Sequence, residues 1–169
     1  MQSTGVRRKL SVILACDFEG YTRLMRADEE ATLNTLHAYR EIIDGMIARH
    51  GGHVFNTAGD SVVAEFDSAV EAVRCAIAIQ EELAPRNARL PDDRKMRLRI
   101  GINLGDVMVD GENLLGDGVN VAARLESLAV SASPKTSITR LDTGYRSALR
   151  TWVRTGSRTF LNRSLPIES

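Results

Sequence analysis

The chain has few cysteines and no long hydrophobic run. Cys16 and Cys75 are the only two thiols in 169 residues. Two cysteines cannot staple a small secreted domain, and their spacing matches no metal motif, so a reducing interior fits better than export. Arg7-Arg8-Lys9 precedes an apolar stretch from Leu10 to Cys16, but this stretch is seven residues long and stops at Asp17. That is the lower edge for a signal segment and far short of the roughly 20 residues of a membrane span. It reads as a buried strand, and a cytoplasmic protein without a membrane segment is expected.

Charge of one sign is missing too: Lys plus Arg and Asp plus Glu both total 22. A general nucleic-acid binder carries a basic excess, so nucleic acid is not an expected partner. The balance is a cancellation. Residues 1–130 hold 15 basic against 20 acidic side chains, and residues 131–169 hold 7 against 2, giving −5 and +5. Also absent are a Walker-type glycine loop, a dinucleotide fingerprint, a serine in a nucleophile elbow and any paired ligand spacing among His37, His50 and His53. The chemistries those motifs carry are excluded with them.

What remains is a globular composition, 43% apolar and 26% charged, in a chain of single-domain size. Leu10 to Cys16 is the first strand, and Phe18 to Thr22 turns the chain. Asp28 to His50 has helix periodicity through Ala31, Leu36, Tyr39, Ile43 and Ile47, with acids in the first turn and Gly51-Gly52 at the end. His53–Thr57 and Ser61–Phe66 flank Ala58-Gly59-Asp60 and read as a hairpin. Ser68 with Glu71 is a capping-box signal for a helix through Val70, Val73, Ile77 and Leu83. Pro85 to Lys95 reads as a polar connection. Met96 to Leu104 alternates as a strand, and Gly105 joins it to a second strand, Asp106 to Asp110. Glu112 to Gly118 reads as a loop, and Val119 to Leu128 returns to helix spacing. The order predicts an α+β layout, an antiparallel-rich sheet with helices packed on one face.

Two carboxylates stand out. Asp17 ends the first strand and Asp60 sits in the Gly-Asp turn. If the hairpin lies beside the first strand, both emerge at one end of the sheet and offer hard oxygen ligands for Mg²⁺. The alternative is that each is a turn former or helix cap. Asn120 and Arg124 lie four apart on the last helix and share a face, an amide and a guanidinium suited to anionic oxygens, or an ordinary polar helix face.

The segments Asp17-Phe18-Glu19-Gly20-Tyr21-Thr22, Asn56-Thr57-Ala58-Gly59-Asp60-Ser61, Arg99-Ile100-Gly101-Ile102-Asn103-Leu104-Gly105-Asp106 and Gly116-Asp117-Gly118-Val119-Asn120-Val121-Ala122-Ala123-Arg124-Leu125-Glu126 together resemble the class III nucleotide cyclase catalytic domain. The resemblance runs in order over residues 7–128. It implies a ferredoxin-like βαββαβ core, a head-to-tail homodimer with composite sites, and conversion of ATP or GTP to a cyclic nucleotide with two Mg²⁺ or Mn²⁺ ions per site. It implies Asp17 and Asp60 as metal carboxylates with the Phe18 carbonyl as an extra ligand. Asn120 and Arg124 become the transition-state pair, supplied by the other subunit.

Three departures accompany the resemblance. Adenine-selective cyclases place Lys at the position of Asn56 and Asp or Thr at that of Asn113, and guanine-selective ones Glu and Cys. Two amides at these base-reading positions can each donate or accept, so ATP is expected on abundance alone and GTP stays open as a substrate. The strand that the family has beyond the Asn-Arg helix is barely recognisable in Ala129 to Arg140. A basic, Ser/Thr-rich segment over 131–169 follows the 7–130 core, with mobility expected beyond Ala129 and at most a short strand around Ser137 to Thr139. It is a divergent native end or the product of a reading-frame disruption. Finally, Leu161 stands where the family has a phosphate-binding Lys, leaving Arg163 as the candidate substitute. The alternative to an active cyclase is a cyclase-like domain that binds nucleotide or protein without turnover.

Overall fold

The structure is a computed structural model and describes residues 7–110, 113–116, 119–120 and 122–123. Its centre is strand β1, Arg7–Phe18. Val12, Leu14, Cys16 and Phe18 point to one side of the sheet and Ile13 and Ala15 to the other, and all are buried. A strand covered on both faces loses the polar alternation of a half-wet strand, which is why this segment is an unbroken apolar run. Its ends extend beyond Leu10 to Cys16 because pairing with the next strand continues through the charged residues on either side.

After β1 comes helix α1, Tyr21–Ala27, where only a turn was expected. Seven residues are too few to show a helical period. Helix α2, Glu29–Arg49, begins where expected, with the Asp28 side chain accepting from the Ala31 amide at 3.0 Å. It ends at Gly51 and Gly52. A Cβ on Gly52 would lie 2.5 Å from the Phe66 ring, so this glycine is fixed by packing. Strands β2, His53–Ala58, and β3, Ser61–Phe66, form the expected hairpin, with a register shift between Val54 and Asn56.

Helix α3 runs Ala69–Ala88, past Pro85, so the connection expected from Pro85 begins later. Proline removes one intrahelical hydrogen bond, and that loss falls in the last turn. The Asn87 side chain then accepts from the Met96 amide at 2.9 Å and fastens the connection. Ser68 caps α3 as predicted. The Glu71 side chain turns away from the cap to His50 Nδ1 at 3.0 Å and Arg74 at 2.9 Å, joining the end of α2 to the start of α3.

Strand β4, Leu98–Asp110, is one continuous strand where two were predicted. Gly105 stays in the ladder opposite Ser11, and twelve consecutive pairs with β1, from Arg7↔Val109 to Phe18↔Leu98, override the turn tendency of a lone glycine. The hairpin partner is β5, Asn113–Leu115, inside the predicted loop. The sheet order is β2-β3-β1-β4-β5, with every pairing antiparallel. Its first four strands have the ferredoxin-like βαββαβ order.

The helices α2 and α3 cover one face, where Leu36, Tyr39, Ile43 and Ile47 meet Ala72, Ala76, Ile79 and Leu83 over β1. Each large aliphatic side chain buried there contributes about 1.5–3 kcal/mol. Cys75 lies in this core, its thiol pushed up to about 12 by burial and by Glu71, so it is inert as a nucleophile. The opposite face carries a smaller cluster: Ile13, Ala15, Val107 and Ala122, with Phe55, Val63, Val109 and Val119 packed against it. Val119 and Ala122 belong to the expected last helix, of which residues 119, 120, 122 and 123 are described as helical. The sheet curls over this face enough for β2 and β5, at opposite ends of the strand order, to touch. Among the described residues no helix is long and apolar enough to cross a membrane. The segment 131–169, with the strand expected around Ser137 to Thr139, lies outside the described residues.

Candidate active site

The ladder between β1 and β3 ends at Cys16↔Val62. Continuing that register brings the Gly59-Asp60 turn alongside the end of β1. There the Phe18 amide donates to Asp60 Oδ2 at 2.8 Å. Gly59 makes the turn at φ 57°, in the left-handed region that glycine adopts without strain. Asp17 and Asp60, 43 residues apart in sequence, therefore share one end of the sheet. Helix α2 supports both turns from below: the Tyr39 ring lies 5.9 Å from the Phe18 ring, and Arg40 reaches the Ser61 carbonyl at 3.5 Å.

The carboxylates feel each other. Desolvation raises the Asp60 carboxyl above its ordinary value; hydrogen bonds from the Phe18 amide and its own amide pull it down, and the charge of Asp17 pushes it up again. Tyr21 is raised by burial and then by Asp60 and Glu29, which places its phenol in the same field.

Sequence reading assigned no role to Arg99, and the structure gives it one. It lies opposite Asp17 in the β1–β4 ladder, its Nε donating to Asp17 Oδ1 at 2.7 Å and Nη2 donating to Oδ2. The signal was hidden because Arg97 and Arg99 both alternate with apolar residues, and only the cross-strand register says which one meets a carboxylate.

The other predicted residues are more scattered. Asn56 is exposed on β2, opposite Val63. Asn113 opens β5, opposite Asp110. The touching of β2 and β5 brings together the two strands that carry this amide pair. Asn120 is exposed in the short helical stretch after Gly116. Arg124, Leu161 and Arg163 lie outside the described residues.

Two partly buried carboxylates that repel each other suit a hard divalent cation that takes few protein oxygens and completes its shell with water and phosphate. Among the described residues no group of three or more His, Cys, Asp or Glu side chains converges. The hard carboxylate oxygens of Asp17 and Asp60 are the donor type that suits Mg²⁺ or Mn²⁺.

Comparison with known proteins identifies the class this fold and site define. Residues 7–144 match the adenylate and guanylate cyclase catalytic domain, and the chain belongs to that family. It is 50% identical over 130 residues to the Rhizobium meliloti (strain 1021) protein named "Putative adenylate cyclase 3", covering 76% of this chain and 22% of that protein. It is 34% identical over 145 residues to an adenylate cyclase of Streptomyces coelicolor, covering 85% and 35%. The chain thus spans only about a fifth to a third of the length of these relatives. Among solved structures it resembles an adenylate/guanylate cyclase/hydrolase from Silicibacter pomeroyi, with 37% identity, a TM-score of 0.72, and coverage of 89% of this chain and 83% of that one.

Proposed function

We propose that the chain is a nucleotidyl cyclase domain that converts ATP or GTP to the 3′,5′-cyclic nucleotide and pyrophosphate at a homodimer interface. The observation that carries this reading is the convergence of Asp17 and Asp60 at one end of the sheet, in a chain of the cyclase family. In the reaction the ribose 3′-oxygen attacks the α-phosphorus in line. The bond from that phosphorus to the pyrophosphate oxygen breaks, and the hydroxyl proton leaves to solvent. Two Mg²⁺ or Mn²⁺ ions, when bound, supply charge neutralisation on the phosphates and acidify the attacking hydroxyl.

Asp17, Asp60 and the Phe18 carbonyl would hold those ions. Asn120 and Arg124, from the second subunit, would position the ribose and meet the charge developing on the α-phosphoryl group. Asn56 and Asn113 would face the base, and Arg163 would reach the phosphates. Two buried free thiols fit a reducing, cytoplasmic setting. The test is purified protein with Mg²⁺ or Mn²⁺ and either ATP or GTP, the cyclic product being read by chromatography. Product that disappears in Asp60→Ala supports the reading. Nucleotide binding without product from either substrate would favour the second reading, a non-turnover binding domain, to which Leu161 at the family's Lys position points.

A further inference from the structure

We propose that Arg99 is an internal cation that latches Asp17 in the ligand-free chain, so that a divalent ion enters the site by displacing the guanidinium. The inference rests on the cyclase reading above and concerns how that site is filled.

The contact is two-pronged. Nε donates to one carboxylate oxygen at 2.7 Å and Nη2 to the other, so both oxygens of Asp17 are engaged by one rigid group. The two residues are direct partners in the β1–β4 ladder, so the sheet itself delivers the guanidinium. The Asp17 and Arg99 side chains are 15% and 23% exposed, and water screens such a pair less than it screens surface ions. Asp60 accepts from the Phe18 amide, and the Arg99 charge reaches it too, pulling its carboxyl down.

Two carboxylates and one guanidinium leave the site one negative charge, which lets it assemble without metal. A divalent ion bound directly to Asp17 draws on the same two oxygens, each left with one lone pair, and its charge repels the guanidinium beside them. Binding is therefore an exchange of one cation for another. Removing the guanidinium frees the Asp17 oxygens and leaves two facing negative charges uncompensated, and both changes draw a cation in. An arginine that merely braced the sheet would have the opposite effect, because its loss would loosen the carboxylate pair.

The test is Mn²⁺ titration of the nucleotide-free protein, free Mn²⁺ being read by its solution EPR signal and folding by circular dichroism. Arg99→Gln is expected to bind Mn²⁺ about five-fold or more tighter than the unaltered chain. Mn²⁺ should also raise its melting temperature more. Arg99→Lys keeps the charge but offers no fork; it should fall between the two, and it decides the matter if the glutamine variant folds poorly. Asp17→Asn should lose the binding. Equal or weaker Mn²⁺ affinity in both Arg99 variants, with binding still lost in Asp17→Asn, overturns the latch and leaves the cyclase site standing. Mn²⁺ binding that survives Asp17→Asn overturns both.

Discussion

The Phe18 amide holds Asp60 Oδ2 at 2.8 Å, tying the last residue of β1 to the turn between β2 and β3. Through this bond the backbone of one carboxylate-bearing segment fixes the side chain of the other. The geometry of the pair therefore depends on the sheet, and charge can be removed from it without removing the tie.

Asp60→Asn tests that separation. The amide oxygen keeps an acceptor for Phe18 while the charge is lost. Cyclic nucleotide formation should fall by about 100-fold or more, the scale of losing one electrostatic group at a phosphoryl centre. The melting temperature should hold or rise, since desolvation and the Asp17 charge both disfavour the carboxylate. Thermal denaturation beside a product assay checks both halves.

A composite site predicts complementation. Asp60→Ala and Arg124→Ala should each be inactive alone. Mixed after exchange, they should regain activity, because one of the two sites in a mixed dimer keeps every group. A full-strength activity in a monomer by analytical ultracentrifugation would contradict it.

Base selection should be weak. Amides at Asn56 and Asn113 present either polarity, and losing one well-formed base contact, worth about 1–3 kcal/mol on a DNA-derived scale, relaxes discrimination about ten-fold or more. The ratio of kcat/KM for ATP and GTP should stay under about a thousand, and Asn56→Lys should raise it toward ATP.

Glu65 predicts a pH effect on stability. Burial opposes its ionised form, but hydrogen bonds from Lys9 and from Ser11, the latter at 2.6 Å, outweigh burial and hold it below its ordinary value of 4.5. A depressed carboxyl stabilises the fold above its unfolded value and loses that contribution as pH falls through the folded value. Glu65→Gln should cost about 1 kcal/mol at pH 7 by urea denaturation. The gap should close as the pH drops below 4.5.

Gly52→Ala should be costly despite its small size. The new Cβ would meet the Phe66 ring at 2.5 Å and Ile47 at 2.8 Å. Overpacking of this kind costs about 1–3 kcal/mol, read directly from the urea midpoint.

The elements that could be read from the chain are those with a strong local signature. Helix α2 showed its period over twenty-one residues with Asp28 before it and paired glycines after it. The β2–β3 hairpin showed in the Gly59-Asp60 turn. Elements misread were those decided by partners. Gly105 looks like a turn until β1 pairs with it, and β5 looks like a loop until β4 lies beside it. Pro85 looks like a helix end, though only the last turn feels its missing amide.

The sequence by itself determined which groups are available: Asp17 at the end of an apolar strand, Asp60 behind a glycine, and Asn120 with Arg124 four positions further on. These follow from short-range chemistry, since turn residues, periods and caps act within a few positions. The tertiary structure decided which groups meet. Register selected Arg99 over Arg97 as the partner of Asp17, the Phe18 amide captured Asp60 across 42 positions, and the curl of the sheet brought β2 to β5. Strand pairing fixes such contacts collectively, because a slip of one residue would turn Arg99 to the other face and leave Asp17 without its counter-charge.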